Sequence, residues 1–274
     1  MNGWNFDPLE LCVLVLAGAL YWRRARTLER RSRPVPRVRL AAFAGGLVTL
    51  FVALASPVDT IGEERLFSVH MLQHLLLGDV GALLLVLGLD GRLLRPLLRV
   101  RPIHRLRVLA HPLVALPLWA ANFVVWHLPA LFDAALRNDA IHALQHALFV
   151  VLGMLMWAAL VEPLPGPVWF TAPWRIPYVL GMWLVMLVLS QVFLWSNHVY
   201  YAPYAHDATL WGLSHLADQK AGGGVMLVES ALTMLPALVW VLLRVLRESE
   251  ARQRLVDAGV APATAARAAR YGRA

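Results

Sequence analysis

Apolar residues gather into seven long stretches separated by short polar or proline-marked breaks. The stretches cover 8–22, 38–56, 69–89, 111–131, 141–161, 177–198 and 221–243. Each approaches the ~20 residues that a helix needs to cross the hydrocarbon core of a bilayer. The first is the shortest, because Arg23 closes it. Proline and glycine punctuate the gaps, at Pro34 and Pro36, Pro57, Asp90–Gly91, Pro102, Pro163 to Pro167, Pro173 and Pro203. The pattern predicts an all-α polytopic membrane helix bundle of about seven transmembrane helices in residues 1–247. Residues 248–274, rich in Ala and Arg, read as a mobile or surface-lying tail with no evident chemistry.

Composition agrees with a membrane solvent. Hydrophobic residues make up 59% of the 274 and charged residues 15%, against about 45–50% and 25% in soluble domains. The single cysteine, Cys12, excludes a disulfide framework and any CxxC metal or redox pair. A net charge of +8 arises from 24 arginines and one lysine. In a membrane protein such an excess reports topology and lipid headgroup contact, not nucleic acid. Twenty-two of the basic residues fall on alternate loops: eight in 23–39, six in 90–110, Arg175, and seven from Arg244 to Arg273. The other side holds only Arg65, Arg137 and Lys220, among Asp59, Glu63, Glu64, Asp133, Asp139, Asp207 and Asp218. The positive-inside rule then places the N-terminus outside and the C-terminus and tail in the cytoplasm. The acidic flank of the first stretch, Asp7 and Glu10, is unlike the basic start of a signal peptide.

The histidines change the picture from a generic bundle to one with chemistry. His70–His74 and His142–His146 each open an apolar stretch, and both read H-x-L-Q-H-x-L. Residues four apart share a helix face, so each pair can grip one metal ion. The spacing is that of HExxH, but the glutamate that would act as general base is missing, which argues against a metallohydrolase. On the predicted topology, eight of the ten histidines lie on the outer side: both pairs, His127, His198, His206 and His215; His104 and His111 lie inside. His70 and His127 are 57 positions apart and His142 and His198 are 56, each unit ending in a Trp shortly before its His (Trp126, Trp195). This spacing suggests an internal repeat, 70–127 and 142–198, of the parallel kind that builds a shared site.

Six imidazoles at one membrane level, His70, His74, His127, His142, His146 and His198, are costly unless they bind something. His206 and His215, in a polar loop, read as interfacial hydrogen-bonding residues. An all-histidine site suits copper or zinc, or bis-histidine haem b between facing helices. Met71 adjoins His70, but an i+1 neighbour points elsewhere on a helix, so it reads as a packing residue before a ligand. Asp133 is an optional carboxylate. Asp79 and Glu229 sit near mid-membrane, about 13 Å below the outer helix ends. Each is either part of an ion path or a neutral acid bonded to a neighbouring helix, and Asp79 points away from the His70–His74 face. The run Ala221–Gly224 permits close helix approach.

At these residues the chain resembles the CtaG family of multi-span cytochrome c oxidase assembly factors. The matching blocks are SPVDTIGEERLFSVHMLQHLLL from Ser56, WHLPALFDAALRNDAIHALQHALF from Trp126, YYAPYA from Tyr200 and ADQKAGG from Ala217. Gln145 and Lys220 depart from the pattern, where Glu and Gln are expected. The resemblance implies a seven-helix protein of the bacterial cytoplasmic membrane that handles copper for a CuA or CuB centre. It would be a metallochaperone and not an enzyme, with oxidase subunits or a periplasmic copper chaperone as partners. It also implies roles for His70, His74, His127, Asp133, His142, His146, Asp218 and Gln219. A haem-b electron carrier and a scaffold whose histidines bind nothing stand as alternatives.

Overall fold

The structure, a computed structural model, describes residues 3–206 and 210–271, without the side chains at 103–104, 205–206, 210 and 271. The side chains of His104 and His206, and Asp207 and Arg273 altogether, lie outside that description. The described residues form helices and connections, with no β-strand. The helices are α1 (Pro8–Glu29), α2 (Arg37–Ala55), α3 (Pro57–Glu64), α4 (Phe67–Gly88), α5 (Gly91–Leu98) and α6 (Arg101–Arg105). After them come α7 (Pro112–Trp126), α8 (Pro129–Arg137), α9 (Asp139–Val161), α10 (Ala172–Trp195), α11 (His215–Asp257) and α12 (Pro262–Tyr271).

Most helices start where local chemistry starts them. Asp7, Ser56, Asp90, Asn138 and Ser214 accept bonds from first-turn N–H groups of α1, α3, α5, α9 and α11. Pro8, Pro57, Pro112 and Pro129 occupy first-turn positions whose N–H would be unpaired anyway. Helix α4 follows Leu66, which offers it no side-chain cap. Asp218 of α11 supplies one from afar. Its carboxylate accepts from Phe67 N at 2.7 Å and from Ser68 N at 3.1 Å.

Among the described residues, five helices are long and apolar enough to cross a membrane: α2, α4, α9, α10 and α11. The pair α7–α8 makes a sixth if taken as one broken span, bent by 73°. The expected span 111–131 is therefore not one straight helix. Pro129 pushes Leu128 into extended geometry, and His127 falls at the break. In α1, 22 residues long, Arg23, Arg24 and Arg26 occupy the last two turns, and it does not meet the same standard of length and apolarity.

The bundle is organised around α4, two-thirds buried and the most enclosed of the spans, with α2, α3, α9 and α11 packed around it. Close contact comes from small residues. A Cβ at Gly153 of α9 would stand 2.0 Å from the Gly78 carbonyl of α4, and one at Gly222 of α11 would meet the Phe67 ring at 2.6 Å. Within α4, residues Leu76–Gly81 form a π-helical turn around Asp79.

The opposite end of the bundle is tied by charge. Glu162, at positive φ after α9, is ion-paired with Arg175 of α10, with Arg244 of α11 at 3.6 Å and with Arg270 of α12 at 2.7 Å. Arg270 also donates to the carbonyls of Val168 and Phe170, both at 2.9 Å. In the segment from 248, α11 continues to Asp257, and α12 folds back with Ala265 and Ala268 buried.

Candidate metal centre

Three elements deliver histidines to one buried place. The first turns of α4 bring His70 and His74, the first turns of α9 bring His142 and His146, and the α7–α8 break brings His127. All five are buried. Ring centroids are 4.2 Å apart for His70–His74, 4.0 Å for His142–His146, 5.6 Å for His70–His142, 5.5 Å for His74–His146 and 6.4 Å for His74–His127. The ligand atoms of His70, His74 and His142 all lie within 4.8 Å of one another.

Hydrogen bonds decide which nitrogen of His70, His142 and His127 faces the cluster. Tyr204 Oη donates to the Gly62 carbonyl at 2.8 Å and accepts from His70 Nδ1 at 2.9 Å. His70 Nε2 is then the lone-pair nitrogen, 2.8 Å from His74 Nε2. His142 Nδ1 donates to Glu63 Oε1 at 2.9 Å, which leaves Nε2 as the inward lone pair. His127 Nδ1 donates to the Phe123 carbonyl at 2.6 Å and points Nε2 at Met71 Sδ, 3.4 Å away. Tyr204 is fully enclosed, and burial pushes its phenol well above the usual range, so it stays a protonated donor.

The donor set fits a metal ion. Among the described residues, His74 Nδ1, His142 Nε2 and His146 Nε2 are buried with no protein partner, and each such group costs about 1–3 kcal/mol if nothing satisfies it. A tetrahedral ion with bonds of ~2.0 Å holds its nitrogens about 3.3 Å apart, so the ligand atoms of His70, His74 and His142 need close by no more than about 1.5 Å. Glu63 and Tyr204 orient the rings from behind, as carboxylates and hydroxyls do around bound metals.

The remaining predicted residues separate cleanly. Asp218 caps α4 and also accepts from Ser68 Oγ at 2.5 Å. Gln219 accepts from Tyr200 N at 2.8 Å and donates to the His198 carbonyl at 2.9 Å, pinning the loop that carries Tyr201 and Tyr204. These two residues position the site and do not line it. Asp133 is half-buried on α8, 3.8 Å from Arg137, and stands outside the close group of ligand atoms. Asp79 accepts from Trp157 Nε1 at 2.7 Å and Thr233 Oγ1 at 3.0 Å. Glu229 of α11 faces Asp79, and the two carboxyl groups are within hydrogen-bonding reach of each other. Met71 does point away from His70 and meets His127 instead.

His198 is not brought to the cluster. It is exposed, its ring against Tyr200 at 5.5 Å, because α10 ends at Trp195 and the chain turns outward. The proposed repeat thus keeps its helix order but not equivalent closing histidines. Three participants went unrecognised. Glu63 and Tyr204 approach from outside the spans, and Asp59 lies behind Gln73, accepting from its Nε2 at 2.7 Å and from Asn5 Nδ2 at 2.9 Å. Burial first, and then the charge of Glu63, push the Asp59 carboxyl up to about 6. Asp59 and Glu63 lie in the block from Ser56 and Tyr204 in YYAPYA from Tyr200, but nothing in either block marks a contact with the histidines.

Known proteins place the chain. An uncharacterized protein of Mycobacterium bovis is 29% identical over 254 residues, covering 86% of this chain and 38% of that protein. One of Mycobacterium leprae is 25% identical over 259 residues with the same coverage. The chain therefore spans about two-fifths of the length of these relatives. No solved structure matches it. Over residues 19–248 it matches the model of the cytochrome c oxidase caa3 assembly factors, Caa3_CtaG, and it belongs to that family.

Proposed function

We propose that the protein assists assembly of a cytochrome c oxidase by holding copper at the His70–His74–His142 centre and passing it to a CuA or CuB site, directly or through a periplasmic copper chaperone. The observation that carries this reading is the convergence of three buried imidazole donors within 4.8 Å, two of them already oriented by Glu63 and Tyr204. Copper is cargo here and the reaction is ligand exchange, with no covalent catalysis. His146 and His127 stand next to the three and offer replacement donors. The thioether of Met71 beside His127 adds a soft ligand suited to Cu(I).

In this reading the protein is a multi-pass protein of the bacterial cytoplasmic membrane. α1 is the seventh span, with the N-terminus outside. The arginine-rich end faces the cytoplasm by the positive-inside rule, and the histidine end faces outward, where CuA is built. Aromatic rings support an ion over haem b: Phe132 lies 5.0 Å from His70 and Phe149 4.5 Å from His74, filling the flanks that a porphyrin would occupy.

The test is metal content of detergent-purified protein after loading with Cu(I), wild type beside His70→Ala/His74→Ala. Copper retained by the wild type and lost in the variant is expected. Zinc retained in preference to copper would replace the cargo. A reduced-minus-oxidised haem band would replace the reading, and retention by neither metal would leave a scaffold.

A further inference from the structure

A second site stands at the opposite end of the bundle and owes nothing to the histidines. The C-terminal turns of α1, the turn that follows it and helix α5 enclose a cavity of about 440 Å³. Six arginines line it: Arg24, Arg31, Arg33, Arg92, Arg95 and Arg99. Arg92 is paired with Asp90 at 2.7 Å. Arg24 donates to the Arg92 carbonyl at 2.8 Å and keeps a buried Nε with no partner. Among the described residues, Arg31, Arg33, Arg95 and Arg99 make no ion pair. Guanidinium groups converging on one concavity repel one another unless an anion sits among them.

The arginine basket continues into an apolar groove of about 500 Å³, sharing Arg24 and Pro96 with it. Ala17 and Leu20 of α1, Leu89, and Leu93 and Leu97 of α5 line this groove. It runs from the charged end of α1 back along its apolar length. Helix α5 matches the pair of cavities. Arg92, Arg95 and Arg99 recur on one face and Leu93 and Leu97 on the other, the pattern of a helix lying in a membrane interface.

We propose that basket and groove together bind an anionic phospholipid, its phosphodiester among the arginines and an acyl chain in the groove. Charge selects the headgroup, because a zwitterionic lipid brings its own cation into a site already rich in them. The groove selects a lipid over a free phosphate, which would use the basket alone.

The test uses the full-length protein, delipidated in detergent, with three probes: dioleoyl-phosphatidylglycerol, dioleoyl-phosphatidylcholine and inorganic phosphate. Lipid retention is read by native mass spectrometry and protection by thermal shift. Phosphatidylglycerol is expected to stay bound as a one-to-one adduct and to raise the melting temperature, whereas phosphatidylcholine and phosphate do neither. Arg31→Ala/Arg95→Ala/Arg99→Ala should weaken that binding ~100-fold, at about 1 kcal/mol per arginine. Those positions are exposed, so unchanged helical content and elution volume are expected alongside. Ala17→Trp, which fills the groove, should weaken lipid binding and spare the arginines. Equal retention of both lipids would reduce the site to ordinary boundary lipid and overturn the proposal. Protection by phosphate that Ala17→Trp leaves untouched would assign the basket to a soluble anion and overturn it equally.

Discussion

At the residue scale, what distinguishes the histidine cluster from buried imidazoles in general is that outside groups decide its tautomers. Glu63 holds His142 by Nδ1 and Tyr204 holds His70 by Nδ1. Loss of such an orienting partner typically costs 10–100-fold in metal affinity. Glu63→Ala and Tyr204→Phe should therefore each weaken Cu(I) retention by roughly that factor in a chelator competition, with melting temperature little changed. His198→Ala, by contrast, should leave retention at the wild-type level, since that ring is exposed, lies against Tyr200 and is not among the close ligand atoms. Met71→Leu should weaken Cu(I) more than Cu(II), because only the softer ion gains from the thioether facing His127. Asp59 carries a pH dependence of its own. Its folded-state value, about 6 against an ordinary 3.8, means the folded protein binds that proton more tightly than the unfolded chain. The stability this confers is complete below the ordinary value and is lost as pH rises through about 6. Asp59→Asn should thus flatten the fall in melting temperature between pH 4 and 7, measured as the difference from wild type.

At the element scale, α4 has polar residues on faces that a lipid-exposed helix would have to keep apolar. His70, Gln73, His74 and Asp79 are tolerated because four other helices surround it. Its start depends on a residue 150 positions beyond Ser68. Asp218→Ala removes the acceptor for the first two N–H groups of α4 and should cost about 1–2 kcal/mol, the usual price of a lost cap. That should appear as a lower melting temperature together with weaker copper retention, since His70 sits in the same turn. Gly153→Leu should be more severe. With no space between that backbone and the Gly78 carbonyl, α4 and α9 must separate, and the His70–His142 distance opens with them.

At the scale of the whole molecule, the bundle has a polar knot at each end. The histidine knot joins α3, α4, α7 and α9, and the Glu162 knot joins α9, α10, α11 and α12. Helix α9 runs between them. Glu162→Gln takes the carboxylate away from Arg175, which is wholly buried. A broken buried pair of this kind costs about 3–5 kcal/mol, so this variant should be among the least stable point changes, as read by thermal unfolding in detergent. Copper loading measured below its melting point should remain normal, because the two knots lie at opposite ends of α9.

The hydrophobic pattern by itself determined the helical class, the positions of the long spans and the pairing of histidines within α4 and within α9. Those properties depend on neighbours one to four residues apart, where periodicity and length decide the outcome. The tertiary structure alone decided which histidines meet. His127 and His198 look alike in sequence, each following a tryptophan at the end of an apolar stretch. Only the bend forced by Pro129 turns the first inward, while the second leaves α10 on an exposed turn. Glu63, Tyr204 and the cap from Asp218 were equally out of reach, since each acts across helices and the chain carries no local mark of its partner. The same holds for the end of the chain, whose alanines and arginines look featureless in a row. They acquire a place once Glu162, about a hundred residues earlier, offers Arg270 a buried counter-charge.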